Sequence, residues 1–256
     1  MFYQLIQNKR DLWFQSPDCT VRDLVDYIYQ RGMMRDAQID AIKTYLYLKI
    51  ACQGQPLWKL FAEGKFNITD VDAEEINVEA RDTMMQNPAA LALYQYSRQK
   101  DRNGTQIAPE LEQFIRQHAR EIDYEQVLKD IFYGVTYSDY LFSLPMGAGK
   151  TYLMAAFIYI DLYFAQNEPM NPIWAHNFLI LAPSGLKSSI IPSLRSIQNF
   201  DVSWLFPEAT VASLKRLVKF EVLDELKSAK NSNLVKNPNA RKINQYLQDG
   251  AMMGLV

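Results

Sequence analysis

Leu144-Pro-Met-Gly-Ala-Gly-Lys-Thr151 gathers two glycines, a lysine and a threonine into one short stretch. A nucleoside triphosphate presents several negative charges in a small volume. Converging main-chain N–H groups bind it well, and glycine allows the backbone to come close enough. The N-terminus of a following helix adds its positive dipole end. In this reading Pro145, Met146, Gly147, Ala148, Gly149, Lys150 and Thr151 form the cradle. Lys150 reaches the β- and γ-phosphates, and the Thr151 hydroxyl is a ligand for Mg2+. Lys150 and Thr151 are therefore the candidate catalytic residues, and Thr151 the candidate metal ligand. The general pattern G-x-x-x-x-G-K-[ST] has Leu144 in place of its first glycine, while the G-x-G-K-T portion is intact.

Other constellations carry less. His118 lies in an expected helix among Arg116, Gln117 and Arg120 and reads as a surface residue. His176 precedes an apolar run and reads as a loop residue. Asp70, Asp72, Glu74 and Glu75 lack the glycine and spacing of a calcium loop and read as a solvated face. Cys19 and Cys52 show no C-x-x-C spacing, which argues against a metal site and fits a reducing cytoplasm. No Ser-His-Asp grouping and no nuclease motif stands out.

The 256 residues are 48% apolar, with a net charge of −2. This composition excludes general disorder and a globally basic nucleic-acid coat. Charge is nonetheless uneven. Residues 53–125 hold 13 acids and 8 bases, whereas residues 211–256 hold 8 bases and 4 acids. The most apolar stretch, Tyr152 to Ala165, is interrupted by Asp161 and too short to span a bilayer, so no membrane partner is expected.

Residues 1–135 read mostly as helix. Thr20 can cap a helix with Val21, Leu24, Val25 and Ile28 on one stripe, and Gly32 stops it. Ile39, Ile42, Leu46 and Ile50 predict a helix over 36–50. Shorter helices are expected at 56–63, 88–98, 109–120 and 124–133, with proline opening the first three. Asp101 to Gly104 reads as an exposed turn. From Tyr140 the pattern changes. The apolar run 140–144, the glycine-rich turn, a long apolar helix from Lys150, the apolar run 177–182 and a helix at 186–197 alternate as strand, helix, strand, helix. That alternation predicts a parallel sheet covered on both faces. Residues 226–241 read as a polar excursion, and 242–247 as a further helix.

Leu-Pro-x-Gly-x-Gly-Lys-Thr followed by Asn177-Phe-Leu-Ile-Leu-Ala-Pro-Ser184 resembles motifs I and Ia of superfamily-two DEAD/DEAH-type helicases. It is most similar to the N-terminal part of the restriction (Res) subunit of type III restriction–modification enzymes. The resemblance covers about residues 124–200 and is weaker outside them. In that branch the first glycine of motif I is commonly replaced. The resemblance implies an α/β fold: a helical region over 1–135, with an acidic insertion at about 53–123, then an incomplete RecA-like P-loop NTPase lobe with a parallel sheet over 136–256. It implies ATP and Mg2+ as ligands and double-stranded DNA as partner. Ser184, Gly185 and Lys187 would touch the DNA backbone, a contact without sequence preference. A modification (methyltransferase) subunit is a further implied partner, and the cytoplasm the implied compartment.

Members of this superfamily read adenine with a glutamine upstream of motif I, whose amide can both donate and accept. Two positions fit. Met34-Arg-Asp-Ala-Gln-Ile-Asp-Ala-Ile42 matches the family's hydrophobic–Arg–x–x–Gln–x–x–Ala–Ile pattern, with Arg35 and Gln38 as its polar members. Gln38, however, stands 112 residues before Lys150, whereas Gln126 stands 24 before it, the usual distance. If Gln38 reads the base, residues 53–123 are an insertion.

Hydrolysis also needs a carboxylate for the metal and a base for the water. The Asp-Glu pair after motif Ia is Asp224-Glu225, preceded by an alternating run unlike a central strand. A second lobe with an arginine finger is not evident. The expectation is therefore an N-terminal region of a longer ATP-dependent DNA helicase or translocase, binding ATP without hydrolysing it efficiently by itself. The alternative expectation is a P-loop switch or assembly ATPase whose output is a protein–protein interaction.

Overall fold

The computed structural model describes residues 2–67, 76–101, 103–180, 192 and 195–218. The chain forms two compact units. One comprises residues 1–22 and 43–143, the other residues 23–42 and 144–256.

The first unit is built from helices. It contains α1 (Phe2–Gln15), the second half of α3 (Asp36–Ile50), α4 (Leu57–Ala62), α5 (Val78–Gln86), α6 (Pro88–Ser97), α7 (Pro109–Gln117) and α8 (Tyr124–Ile131). The local signals are clear. Asn87 caps α6 by accepting from Ala89 and Ala90 N–H, with Pro88 in its first turn. Asn77 caps α5 and Asp123 caps α8 in the same way. α6 packs against α4, α5, α7 and α8, and its Ala89, Ala90, Ala92, Leu93 and Tyr94 are all buried. The core joins Leu5, Tyr47, Phe61, Phe66, Leu93, Ile115 and Leu128. Phe61 stacks on Phe132 at 5.6 Å and touches Phe66 at 4.7 Å. The turn expected at Asp101 to Gly104 is present. Asp101 Oδ1 accepts from Asn103 and Thr105 N–H at 2.8 Å, and an isolated antiparallel bridge joins Lys100 to Gln106.

A half-buried polar network ties α6 to α7. Arg116 donates to Glu112 at 2.6 Å, Gln106 donates to the same carboxylate, and Arg98 approaches it at 3.8 Å. Burial opposes ionisation of Glu112. The hydrogen bonds from Gln106 and Arg116 and the two guanidinium charges outweigh it and hold the carboxyl below its usual range. A depressed folded-state pKa contributes stability that is complete above the unfolded-state value and lost as pH falls through the folded-state value. Glu112→Gln is therefore expected to be less stable than wild type at neutral pH, with the difference shrinking on acidification. Urea melts at several pH values check this, and a gap independent of pH would overturn it.

The second unit holds α2 (Arg22–Arg31) from Asp23, the first half of α3, α9 (Lys150–Asn167) and α10 (Glu208–Leu217). α2 ends where Gly32 N–H donates to Tyr29 O at 3.1 Å. α9 is buried on nearly every side, including Leu153, Ala155, Ala156, Ile158, Ile160 and Leu162. Aromatic rings cover it. Trp174 stacks on Phe164 at 4.3 Å, Phe206 on Tyr163 at 4.6 Å and Phe200 on Tyr159 at 5.9 Å. Asp161, the one acid within it, is buried and accepts from Ala175 N–H at 3.1 Å.

The expected α/β lobe with a parallel sheet is corrected here. Among the described residues there is no strand, and the regular elements are helices. Residues 140–144 run without regular structure, as do 178–180, and residues 181–182 lie outside the described residues. Leu141 is 93% exposed and Leu179 is 73% exposed. A central parallel strand buries both faces and needs neighbours for its N–H and C=O groups. Among the described residues these runs pair into no ladder, and Leu141 and Leu179 face solvent. Their apolar content resembled strands because short apolar runs carry no periodicity that identifies a partner. The all-round apolar character of α9 likewise reports burial, not what buries it, and here the cover is aromatic loop and helix. The helix expected at 186–197 lies mostly outside the described residues, as do 226–241 and 242–247.

Candidate functional site

The loop before α9, over residues 145–149, is a tight turn that leads straight into the helix. Ala148 N–H donates to Pro145 O at 3.3 Å, closing a tight turn. Gly147 and Gly149 have φ of +76° and +77°, a left-handed backbone that favours glycine. Gly149 is the N-cap of α9, and among the described residues no side chain caps that helix. Leu153 N–H makes the first intrahelical bond, to Gly149 O at 3.1 Å. The N–H groups of Lys150, Thr151 and Tyr152 thus precede the helix ladder, where the dipole favours an anion. Lys150 is exposed, and its ammonium donates back to Pro145 O at 3.2 Å. Met146 is 97% exposed and Ala148 is buried.

Two residues of the same unit grip this loop. Arg35 Nη1 donates to Gly147 O, and Gln38 Nε2 donates to Gly149 O at 2.9 Å. Local helix chemistry explains why Gln38 is available. Arg35 stands at the N-cap of α3 and Gln38 three residues on. Gln38 Oε1 reaches back to accept from Arg35 N–H at 2.8 Å, as the third residue of a capping box does. One side chain therefore closes the start of α3 with its oxygen and holds the N-cap of α9 with its nitrogen. Gln38 is 3% exposed. One amide N–H and one oxygen lone pair are left over after these two bonds.

Gln126 belongs to the other unit. It is exposed on α8 and donates to Asp130 Oδ1 at 2.7 Å. Of the two candidate glutamines, the structure brings Gln38 onto the loop, together with Arg35. Ser184, Gly185, Lys187 and the pair Asp224-Glu225 lie outside the described residues. His118 is a surface residue whose Nδ1 meets Glu121 Oε1 at 3.2 Å.

An aromatic shelf beside the loop carries no signal in the sequence. Tyr152 stacks on Trp204 at 5.4 Å and 23° and tilts against Phe200 at 6.3 Å. Trp204 belongs to a 3-10 turn, Val202–Trp204, capped by Asp201, whose carboxylate accepts from Ser203 N–H at 3.0 Å. Hydrogen bonding with the Ser203 side chain and N–H holds the Asp201 carboxyl below its usual range. The Tyr27 hydroxyl of α2 sits between the carbonyls of Ser203 and Phe206, at 3.2 and 3.1 Å. No periodicity links residues 27, 152 and 204, so tertiary contact alone assembles them.

The residues present fit a magnesium-bound triphosphate. A Cβ built on Gly147 meets nothing within 4 Å, so the mouth of the cradle is open there. N–H groups uncommitted among the described residues and an exposed ammonium supply donors and charge. Thr151 would hold the metal ion, which when bound neutralises phosphate charge. Among the described residues no group of three His, Cys, Asp or Glu could hold a metal.

Gln38→Ala removes both of that side chain's hydrogen bonds at once, to Arg35 N–H and to Gly149 O. The expected cost is about 1–3 kcal/mol, because a buried side chain loses two hydrogen bonds. Gln38→Glu keeps the shape but turns an acceptor toward the Gly149 carbonyl, and it is expected to cost at least as much. Chemical denaturation checks both, and wild-type stability in each would remove Gln38 from this role. No protein-family model matches the chain, and no curated protein or solved structure matches it significantly.

Proposed function

We propose that this chain binds magnesium–ATP through residues 145–151 and serves as a nucleotide-binding component of an ATP-dependent DNA helicase or translocase. The observation that carries the reading is the grip of Arg35 and Gln38 on the carbonyls of Gly147 and Gly149. Two residues over a hundred positions upstream, within the one segment that matches the helicase glutamine pattern, meet the one segment that matches motif I. The reading rests on the loop, its two braces and the helix N-terminus, and involves no sheet.

In this function the loop N–H groups and Lys150 bind and orient the phosphates. Arg35 and Gln38 hold the loop carbonyls turned away, leaving the N–H groups to the ligand. Double-stranded DNA is the proposed polymer partner, with a methyltransferase subunit as a second. Buried free thiols at Cys19 and Cys52 accord with a reducing cytoplasm. Among the described residues no helix is long and apolar enough to cross a membrane.

The test is ATP hydrolysis by the protein with and without double-stranded DNA. Stimulation by DNA is the expected result. Hydrolysis indifferent to DNA would favour a switch whose output is a protein contact, and no binding of magnesium–ATP would overturn the reading.

A further inference from the structure

Phosphate recognition leaves the base of the nucleotide unplaced, and the surroundings of residues 149–152 offer it a platform. Tyr152 lies in the first turn of α9, directly after Thr151. A Cβ built on Gly149 would stand 2.6 Å from Gln38 Nε2 and 3.7 Å from Tyr152 Cδ2. The amide nitrogen and the ring edge are therefore at most 6.3 Å apart. A hydrogen-bonding amide and an aromatic ring at that separation are the two groups a flat heterocycle needs, one for its edge and one for its face.

The ring is also held still. Trp204 covers Tyr152 at 5.4 Å, nearly parallel, and Phe200 packs against both, yet Tyr152 remains 40% exposed. The backing itself is fixed by Asp201 at the start of its turn and by the Tyr27 hydroxyl at the end. An aromatic fixed in plane and open to solvent loses little conformational freedom when a second ring stacks on it. A tyrosine placed only for packing gains nothing from this exposure.

We propose that Tyr152 is the stacking platform for the base of the bound nucleotide, backed by Trp204, and that the site prefers purine to pyrimidine nucleoside triphosphates. The larger π-face of a purine gains more from the stack. This inference rests on the triphosphate reading of residues 145–151, and two probes separate the two. Magnesium–tripolyphosphate tests the cradle without a base, and magnesium–ATP tests both together.

Calorimetry on the full chain compares wild type, Tyr152→Ala and Tyr152→Phe with each probe and with magnesium–UTP. Tyr152→Ala is expected to weaken ATP about tenfold, within the usual range for one base on one ring, while leaving tripolyphosphate unchanged. Tyr152→Phe retains the wild-type affinities, and the ATP-over-UTP preference narrows in Tyr152→Ala. The ratio of the two affinities within one variant is unaffected by partial unfolding, so a general loss of stability does not imitate the result. Equal loss of ATP and tripolyphosphate in Tyr152→Ala, or no loss of either, would overturn the platform while leaving the cradle standing. Failure of wild type to bind either probe would remove both.

Discussion

Lys150→Ala is expected to lower ATP hydrolysis steeply while leaving the protein's thermal stability unchanged. The ammonium group is exposed and among the described residues donates only to the Pro145 carbonyl, at 3.2 Å. Its removal opens no cavity and strands no buried partner, so the fold has little to lose. With a triphosphate bound, the same group would leave that carbonyl and meet the charge that develops on the transferring phosphoryl group. Loss of one such preorganised donor is expected to cost about two to three orders of magnitude in turnover. A steady-state phosphate-release assay with a parallel melting curve checks both halves. Undiminished turnover would detach the loop from catalysis, whereas an equal fall in stability would show Lys150 to be structural.

Gly149→Ala damages the cradle far more than Gly147→Ala. The two glycines share nearly the same left-handed φ, +77° and +76°. Each alanine therefore bears a similar backbone cost of about 1–2 kcal/mol. Their surroundings differ. A Cβ at Gly147 meets nothing within 4 Å, whereas one at Gly149 falls 2.6 Å from Gln38 Nε2. Gln38 is buried and hydrogen-bonded at both ends, so moving its amide breaks the bond to Gly149 O and loosens the cap of α3. The total for Gly149→Ala is expected at about 2–4 kcal/mol, combining backbone strain with the lost hydrogen bonds. Urea unfolding of the two variants gives the comparison. Equal destabilisation would mean that the brace carries no energy. In the double variant Gly149→Ala, Gln38→Ala the clash is absent, and part of the loss is recovered relative to the sum of the single changes.

The helices were largely legible in the amino-acid sequence. The stripe Ile39, Ile42, Leu46 and Ile50 predicts 36–50, and α3 is Asp36–Ile50. Asn87 followed by Pro88 marks the start of α6, and Pro109 the start of α7. These signals act within one or two turns, between residues whose spacing the helix itself sets. The loop at 145–149 was legible for the same reason, because glycine's left-handed freedom is a property of single residues. α1, α5 and α10 were not singled out.

Sequence by itself determined the helical grammar of the first unit, the left-handed turn at Gly147 and Gly149, and the helix that opens at Lys150. All of these follow from backbone preferences and contacts a few residues apart. Only the tertiary structure decided that residues 140–144 and 178–180 run without forming strands, since a strand exists through its hydrogen-bonding partner and no local pattern names that partner. It also decided that Gln38 meets the loop while Gln126 pairs with Asp130, a choice that distance along the chain had pointed the other way. The stacking of Tyr152 on Trp204 and the reach of Tyr27 to the carbonyls of Ser203 and Phe206 were decided there too. Folding brings together residues whose separation in the chain encodes nothing about their separation in space.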